Sequence, residues 1–522
     1  MVPEFRFDKK DVVRGLVGAL ACLAFLTFLG LYWLRVSEST NFVVVLLALL
    51  AVGALISFAF YFRYFEVPKR AISAFPVVLL VFGLFFTVAI PPMASPDEGH
   101  HFFSSYWLSD AVLGQASFAN AENFPVRSDV MELYEESSTE IGGQSYRTVL
   151  SGFELFATNS KSVEGISFGF TLGSENAIAK VPSVLGILFA RLLGMGAYPL
   201  FYMGRLFSVL FFVACCTLSV RLTPVAKGAF VGASLLPMTL QLAASYSYDS
   251  GIVSLSFLLC ALLLRAVFNE GPMHKREMLS IVLLAALVAP LKVVYSVALI
   301  LLLFIPSGRF ASGKQAVAFK ASVLLSAFVA LLFFRMTSVS ALVVAGDGLD
   351  YRGSESGHFY DLSGLLAQPL SSAALFFRSF DAMGDFYWES MIGNRPGWLQ
   401  ASLQAPTFLM VAYLVLLLLS AQKAEDDSVQ PSIAMRAACI FSFAMVVLGV
   451  ALSMTIGWTF DHELIIQGIQ GRYFLPLLPL ALLSFRLVGL NLRGSVLGTC
   501  VTGMSILNIV YLMRMLALAF TL

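Results

Sequence analysis

The chain is read outward from Pro91-Pro92-Met93-Ala94-Ser95-Pro96-Asp97-Glu98-Gly99-His100-His101-Phe102-Phe103-Ser104-Ser105-Tyr106-Trp107-Leu108. The run before it, Ala71 to Ile90, is long and apolar enough to cross a bilayer, which takes about 20 residues. Three prolines then forbid helix continuation, so Asp97 and Glu98 are expected to emerge at a membrane surface. Beyond them His101, Phe102, Tyr106 and Leu108 fall near one side of a helical wheel. That predicts a helix lying in the interface with its rings at headgroup depth. Two adjacent carboxylates at a water–lipid boundary suit a catalytic pair. The same residues also suit an ordinary helix N-terminus, with Asp97 as cap and Glu98 in the first turn, and the two roles are compatible.

Composition places this stretch in a polytopic membrane protein. Of 522 residues 58% are hydrophobic and 12% charged, about half the charged share of a soluble globular chain. A net charge of +1 provides no basic field to recruit nucleic acid. All six cysteines lie inside apolar runs, where packing rather than a disulfide framework is expected. Arg6, Lys9, Lys10 and Arg14 precede the first run, which lacks a small-residue cleavage pattern and is taken as a retained span.

Candidate spans are Val12–Leu34, Asn41–Phe62, Ala71–Ile90, Leu200–Val220, Val225–Ala243, Gly251–Phe268, Met278–Pro306, Val317–Thr337, Pro406–Ala421, Ile433–Met454, Tyr473–Leu490 and Ser495–Ala519. The expected organisation is N-terminal spans over 1–90, a first outer insertion over 91–199, central spans over 200–337, a second outer insertion over 338–405 and C-terminal spans over 406–522. Arg63, Lys69 and Arg70, then Arg265, Lys275 and Arg276, then Arg486 and Arg493, mark the cytoplasmic side. Within the insertions, Ser117 to Glu175 reads as loop with short structure. Ala177 to Leu193 and the segment holding Leu362, Leu365, Leu366, Phe376, Phe377 and Phe380 read as interfacial helices.

Parity turns on Met278–Pro306. A single crossing would move Arg309, Lys314 and Lys320 to the outside. Pro290 and Lys292 break the run near its middle, leaving two short helices that are expected to turn back on each other, as is tolerated where the turn is buried in protein or lines a watery cavity. This gives about thirteen crossings, with both insertions outside and Lys292 at the outer side.

Four distant clusters then share one level: Asp97 and Glu98; Ser245 to Ser250 with Tyr246, Tyr248 and Asp249; Lys292 with Tyr295; and Gln470-Gly471-Arg472-Tyr473. Arg205 is a further cation near it. Ionisable groups at this depth are functional suspects. For Lys292 and Arg205 the plainer alternative is snorkelling, and for Asp249 a helix cap. The chemistry suggested is glycosyl transfer from a lipid-linked donor. A carboxylate would take the proton of an attacking hydroxyl, and cations would hold the departing phosphate. Arg472 suits a two-point phosphate clamp and Lys292 a point charge, while Tyr248, Tyr295 and Tyr473 offer hydroxyls or a stacking face. His101 suits substrate or structural contacts better than zinc. A divalent cation, Mg or Mn, on Asp97 and Glu98 is left open.

Pro96-Asp97-Glu98-Gly99-His100-His101-Phe102 resembles the signature of the bacterial membrane family known as domain of unknown function 2142. Gly204-Arg205, Ser247-Tyr248-Asp249 after Leu236-Pro237-Met238, Lys292 with Tyr295, Gly397-Trp398-Leu399 and Gln470 to Pro476 follow its later landmarks in order. Ser104 departs from it, standing where similar sequences place a basic residue. The family is allied to the GT-C glycosyltransferases, which use polyprenyl-phosphate sugars. The resemblance implies a GT-C-like all-α bundle in a bacterial inner membrane, with a periplasm-facing site in which Asp97 is the base and Glu98 its partner or a metal ligand. The implied partners are a polyprenyl-phosphate sugar donor and an envelope glycan, lipid or protein acceptor. Rival expectations are a polymerase of lipid-linked repeat units and a flippase for such lipids.

Overall fold

The computed structural model describes residues 9–118, 124–157, 162–163, 176–343, 350–352, 355–424, 427, 429–487, 490–492 and 494–522, the side chains of 9–11, 162–163, 336–343, 424 and 491 excepted. Arg6, Arg493, parts of 117–175 and positions 344–349 and 353–354 of the second insertion lie outside them. The chain is an all-α polytopic membrane protein, 75% helix and 3% strand.

In chain order the helices are α1 (Lys9–Ser37), α2 (Thr40–Tyr61), α3 (Pro68–Ala89), α4 (Glu98–Val112), α5 (Ser128–Glu136), α6 (Gly143–Ser151), α7 (Ala177–Leu192), α8 (Ala197–Leu222), α9 (Lys227–Ser234), α10 (Pro237–Ala243), α11 (Asp249–Phe268) and α12 (Lys275–Val288). A 3-10 helix, Val293–Phe304, follows, then α13 (Gly313–Val343), α14 (Leu362–Ala367), α15 (Pro369–Ile392), α16 (Thr407–Ser420) and α17 (Ile433–Trp458). A second 3-10 helix, Gly471–Leu477, leads into α18 (Leu478–Ser484), and α19 (Val496–Ala519) ends the bundle. Among the described residues eight helices are long and apolar enough to cross a membrane: α1, α2, α3, α8, α11, α13, α17 and α19.

Proline explains why other apolar runs are not continuous. Pro237 opens α10 and interrupts the run from Val225, and Pro476 lies where the run from Tyr473 changes from 3-10 to α geometry. The Met278–Pro306 run breaks at Pro290 and doubles back. At one end of it Arg309 hydrogen-bonds the carbonyls of Glu270 and Gly271 and the carboxylate of Glu277, close to where α12 begins. At the turn between its two halves Lys292 reaches Asp249, the first residue of α11. Both ends of the run therefore lie on one side, with the turn on the other. Arg335 of α13 pins that turn by donating to the carbonyls of Pro290 and Leu291.

A large apolar core runs through the bundle, and a second one gathers around α4. Here the structure departs from expectation. Nearly every residue of α4 from His101 to Ala111 is buried, with Phe102 and Tyr106 packed on Phe201, Tyr246 and Phe124. The helix is enclosed by protein and does not lie with its rings among headgroups. Beyond the bundle, the C-terminal end of the chain touches α6, and Tyr146 of α6 donates to the Ala89 carbonyl at the end of α3. That ties one insertion to the ends of two spans.

Candidate active site

The site is built on the loop between α3 and α4. Asp97 occupies the N-cap position of α4 at φ +56°, in the left-handed region, and its side chain makes no capping hydrogen bond. Aspartate tolerates this conformation, which is uncommon outside functional or tightly determined positions. The carboxylate thus remains available: it is 55% exposed and 3.8 Å from Nη2 of Arg472.

Glu98 points the other way and is fully buried. Its Oε1 accepts from Arg205 Nε at 2.9 Å and from the Tyr246 backbone N–H at 3.2 Å. Its Oε2 accepts from Arg205 Nη2 at 2.6 Å and from the Ser95 N–H at 3.4 Å. Arg205 also donates to the carbonyls of Thr87 at 3.0 Å, Ile90 at 2.5 Å and Pro91 at 3.0 Å, which engages every N–H of its guanidinium. These contacts correct two expectations. Arg205 has no donor left for a phosphate, and Glu98 has no free oxygen to act as base partner or metal ligand. Together they brace the end of α3 and the turn that carries Asp97.

The same geometry bears on a divalent cation. Asp97 faces a guanidinium and Glu98 is saturated, so this pair does not fit a metal. Among the described residues no group of three or more His, Cys, Asp or Glu side chains is arranged to hold one.

Opposite Asp97 lies a second carboxylate with two cations. Asp249 is buried and also makes no helix cap; its Oδ1 is 3.1 Å from Lys292 Nζ and its Oδ2 3.5 Å from Arg472 Nε. Lys292 stands 4.1 Å from the centre of the Tyr473 ring and 5.4 Å from that of Tyr248, and Arg472 donates to the Tyr473 hydroxyl at 3.4 Å. Tyr295 donates to the Tyr473 carbonyl at 2.9 Å, so it holds the backbone beside Arg472 and its hydroxyl is already committed. His101 meets Tyr248 edge to face at 4.8 Å and is buried, with Nδ1 unpartnered. Burial first, then the charges of Lys180, His100, Arg472 and Lys292, holds its imidazole well below the ordinary histidine range, in the neutral form. Asp97, His101, Tyr248, Asp249, Lys292, Tyr295, Arg472 and Tyr473 therefore form one cluster, although the sequence spreads them over hundreds of positions.

Two glycines make the close approaches possible. Gly471 packs against the backbone of Tyr387 and Met391 in α15, and its N–H donates to the Ser390 hydroxyl at 3.0 Å. Gly397, at φ +60°, lies against the Ala94 carbonyl and is held by the side chain of Gln241 through bonds of 2.9 and 3.0 Å.

A family model described as Predicted membrane protein (DUF2142) matches residues 80–481. The chain belongs to this family. The DUF2142 match begins inside α3 and ends inside α18, and so contains every residue of the cluster. No curated protein and no solved structure matches the chain. In this DUF2142 protein two basic residues near the site escaped sequence reasoning. Lys180 of α7 is buried and close enough to lower the pKa of His101, and Arg335 fixes the turn that carries Lys292. Each is flanked by apolar residues within its helix, though α7 also carries Arg191 and α13 also Lys314 and Lys320.

Proposed function

We propose that this protein is a membrane glycosyltransferase that moves a sugar from a polyprenyl-phosphate donor to a hydroxyl of an envelope glycan, lipid or protein at the outer face of a bacterial cytoplasmic membrane. The observation that carries this reading is Arg472. Its side chain is 6% exposed, its Nη1 has no hydrogen-bond partner, its Nε meets Asp249 only at an ion-pair distance of 3.5 Å, and an exposed carboxylate lies at 3.8 Å. A buried guanidinium with unmet donors is costly unless an anion completes it, and its planar fork suits two phosphate oxygens.

In the reaction, the acceptor oxygen attacks the anomeric carbon and Asp97 takes its proton. The bond from that carbon to the phosphate oxygen breaks, and the electron pair leaves with the polyprenyl phosphate. Arg472 and Lys292 receive the added negative charge. Asp249 holds the two cations in place, while Tyr248 and Tyr473 line the sugar's side. Attack opposite the leaving group inverts the anomeric centre. No step needs a metal. The accompanying topology is a GT-C-like bundle of about thirteen crossings with both insertions and the site outside, following the basic loops.

The test is incubation of the purified protein with radiolabelled polyprenyl-phosphate sugars and an envelope extract, with and without chelator. Transfer of label with release of polyprenyl phosphate, unaffected by chelator, is expected. Failure of every donor to transfer, with donor binding also absent, would sink the reading.

A further inference from the structure

At the opposite end of α11 from Asp249 a groove of about 840 Å³ opens between α8, α11 and α12. α11 has 20 residues, so the groove mouth and the active site are separated by roughly 30 Å, about the thickness of a hydrocarbon core. The walls are leucines from all three helices, among them Leu218, Leu262 and Leu287. The mouth carries Arg265, Lys275 and Arg276. Among the described residues its one lining carboxylate, Glu277, is hydrogen-bonded by Arg309 at 3.2 Å and ion-paired with Arg265 at 3.8 Å. One carboxylate thus faces four cations, Arg265, Lys275, Arg276 and Arg309, which leaves a net excess of three positive charges above an apolar slot.

We propose that this groove binds an anionic phospholipid of the leaflet opposite the active site, with the acyl chains along the leucines and the phosphate among Arg265, Lys275 and Arg276. The argument is charge and polarity complementarity. Leucine walls need an aliphatic occupant, and a basic rim at the bilayer surface needs an anion, which a phosphodiester headgroup supplies on the same molecule. A soluble anion would leave the walls empty, and a zwitterionic lipid would leave the rim unmatched. The proposal is independent of the transfer reaction.

The experiment is native mass spectrometry of the full-length protein titrated with phosphatidylglycerol, phosphatidylcholine or polyprenyl phosphate, together with thermal unfolding in the same mixtures. Phosphatidylglycerol is expected to be retained about tenfold or more over phosphatidylcholine and to raise Tm. The triple substitution Arg265→Gln, Lys275→Gln and Arg276→Gln should erase that preference. Leu287→Trp, which fills the slot and keeps the charges, should weaken retention as well. Arg63→Gln with Lys69→Gln and Arg70→Gln, on the same side but outside the groove, should leave it unchanged. Equal retention of the two phospholipids overturns the proposal. So does an equal loss in the control triple, or stronger retention of polyprenyl phosphate than of phosphatidylglycerol. Should the variants not fold, the wild-type protein alone decides: a Tm that phosphatidylglycerol raises no more than phosphatidylcholine does overturns it.

Discussion

Glu98 and Arg205 form a two-point ion pair, Nε to Oε1 at 2.9 Å and Nη2 to Oε2 at 2.6 Å, with both side chains fully buried. Removing one partner of such a pair strands a charge and costs about 3–5 kcal/mol. Arg205→Ala and Glu98→Ala are each expected to lower thermal stability by an amount of this order. Arg205→Lys should rescue little, since an ammonium cannot replace the forked contacts to Glu98 and three carbonyls. A variant at either position that unfolds like the wild type would show that the pair is not what holds the α3–α4 turn.

Asp97→Asn should cut transfer by about 10²–10⁴-fold while leaving donor binding and Tm close to wild type, because its side chain is 55% exposed and its ion pair with Arg472 is long, at 3.8 Å. Single-turnover assays alongside donor-binding measurements separate the two. Equal loss of binding and turnover would assign Asp97 to the donor instead.

Arg472→Lys removes the fork and keeps the charge. Hydrogen bonds to charged groups are worth about 1.5–3 kcal/mol, so donor affinity should fall by roughly 10- to 150-fold. Asp249→Asn should weaken donor binding through loss of the carboxylate that positions Lys292 and Arg472. Titration of a non-transferable polyprenyl-phosphate analogue reads both.

The doubled-back Met278–Pro306 run gives a topological prediction. Lys275→Cys and Lys314→Cys, both exposed, should react with an impermeant maleimide from the same side of sealed vesicles, and Thr139→Cys in the first insertion from the other. Labelling of the first two from opposite sides would mean a single crossing.

On the surface of the second insertion, Arg352 donates to both oxygens of Glu463 at 2.9 and 3.0 Å, tying residues 350–352 to the loop after α17. Partial burial raises the Glu463 pKa, but the hydrogen bonds from Arg352 and the Phe460 N–H outweigh it, so the carboxyl is held below its ordinary value. A depressed carboxyl stabilises above its unfolded pKa, about 4.3, and that contribution is lost as pH falls through the lower folded value. Limited proteolysis should therefore open this tether only in acid. Glu463→Gln should open it at neutral pH.

Much of this arrangement is legible in one dimension. The prolines after Ile90 stop α3 where they stand, and Pro290 with Lys292 marks a turn that basic residues on both flanks require to be a return. Charges at the ends of apolar runs single out Asp97, Asp249 and Arg472, and the proline-broken middle of another run singles out Lys292; the fold brings these four together. What stayed hidden was which charges pair. Glu98 and Arg205 are 107 residues apart, and no local pattern tells a structural ion pair from a ligand-binding one. The aromatic face of α4 misled for a related reason. Rings at headgroup depth and rings inside a second core leave the same periodicity, and only the arrival of Phe201 and Tyr246 distinguishes them.

The brevity of α12 bears on the bilayer itself. Fourteen residues reach about 21 Å, short of the roughly 30 Å of hydrocarbon around them. Residues 289–292 make up the rest of the distance as a turn, and Lys292 ends beside Asp249 at the far end of α11. For the donor proposed above, the cations would stand at the headgroup depth of its own leaflet, and turnover should slow in reconstituted membranes whose hydrocarbon is thicker than that distance.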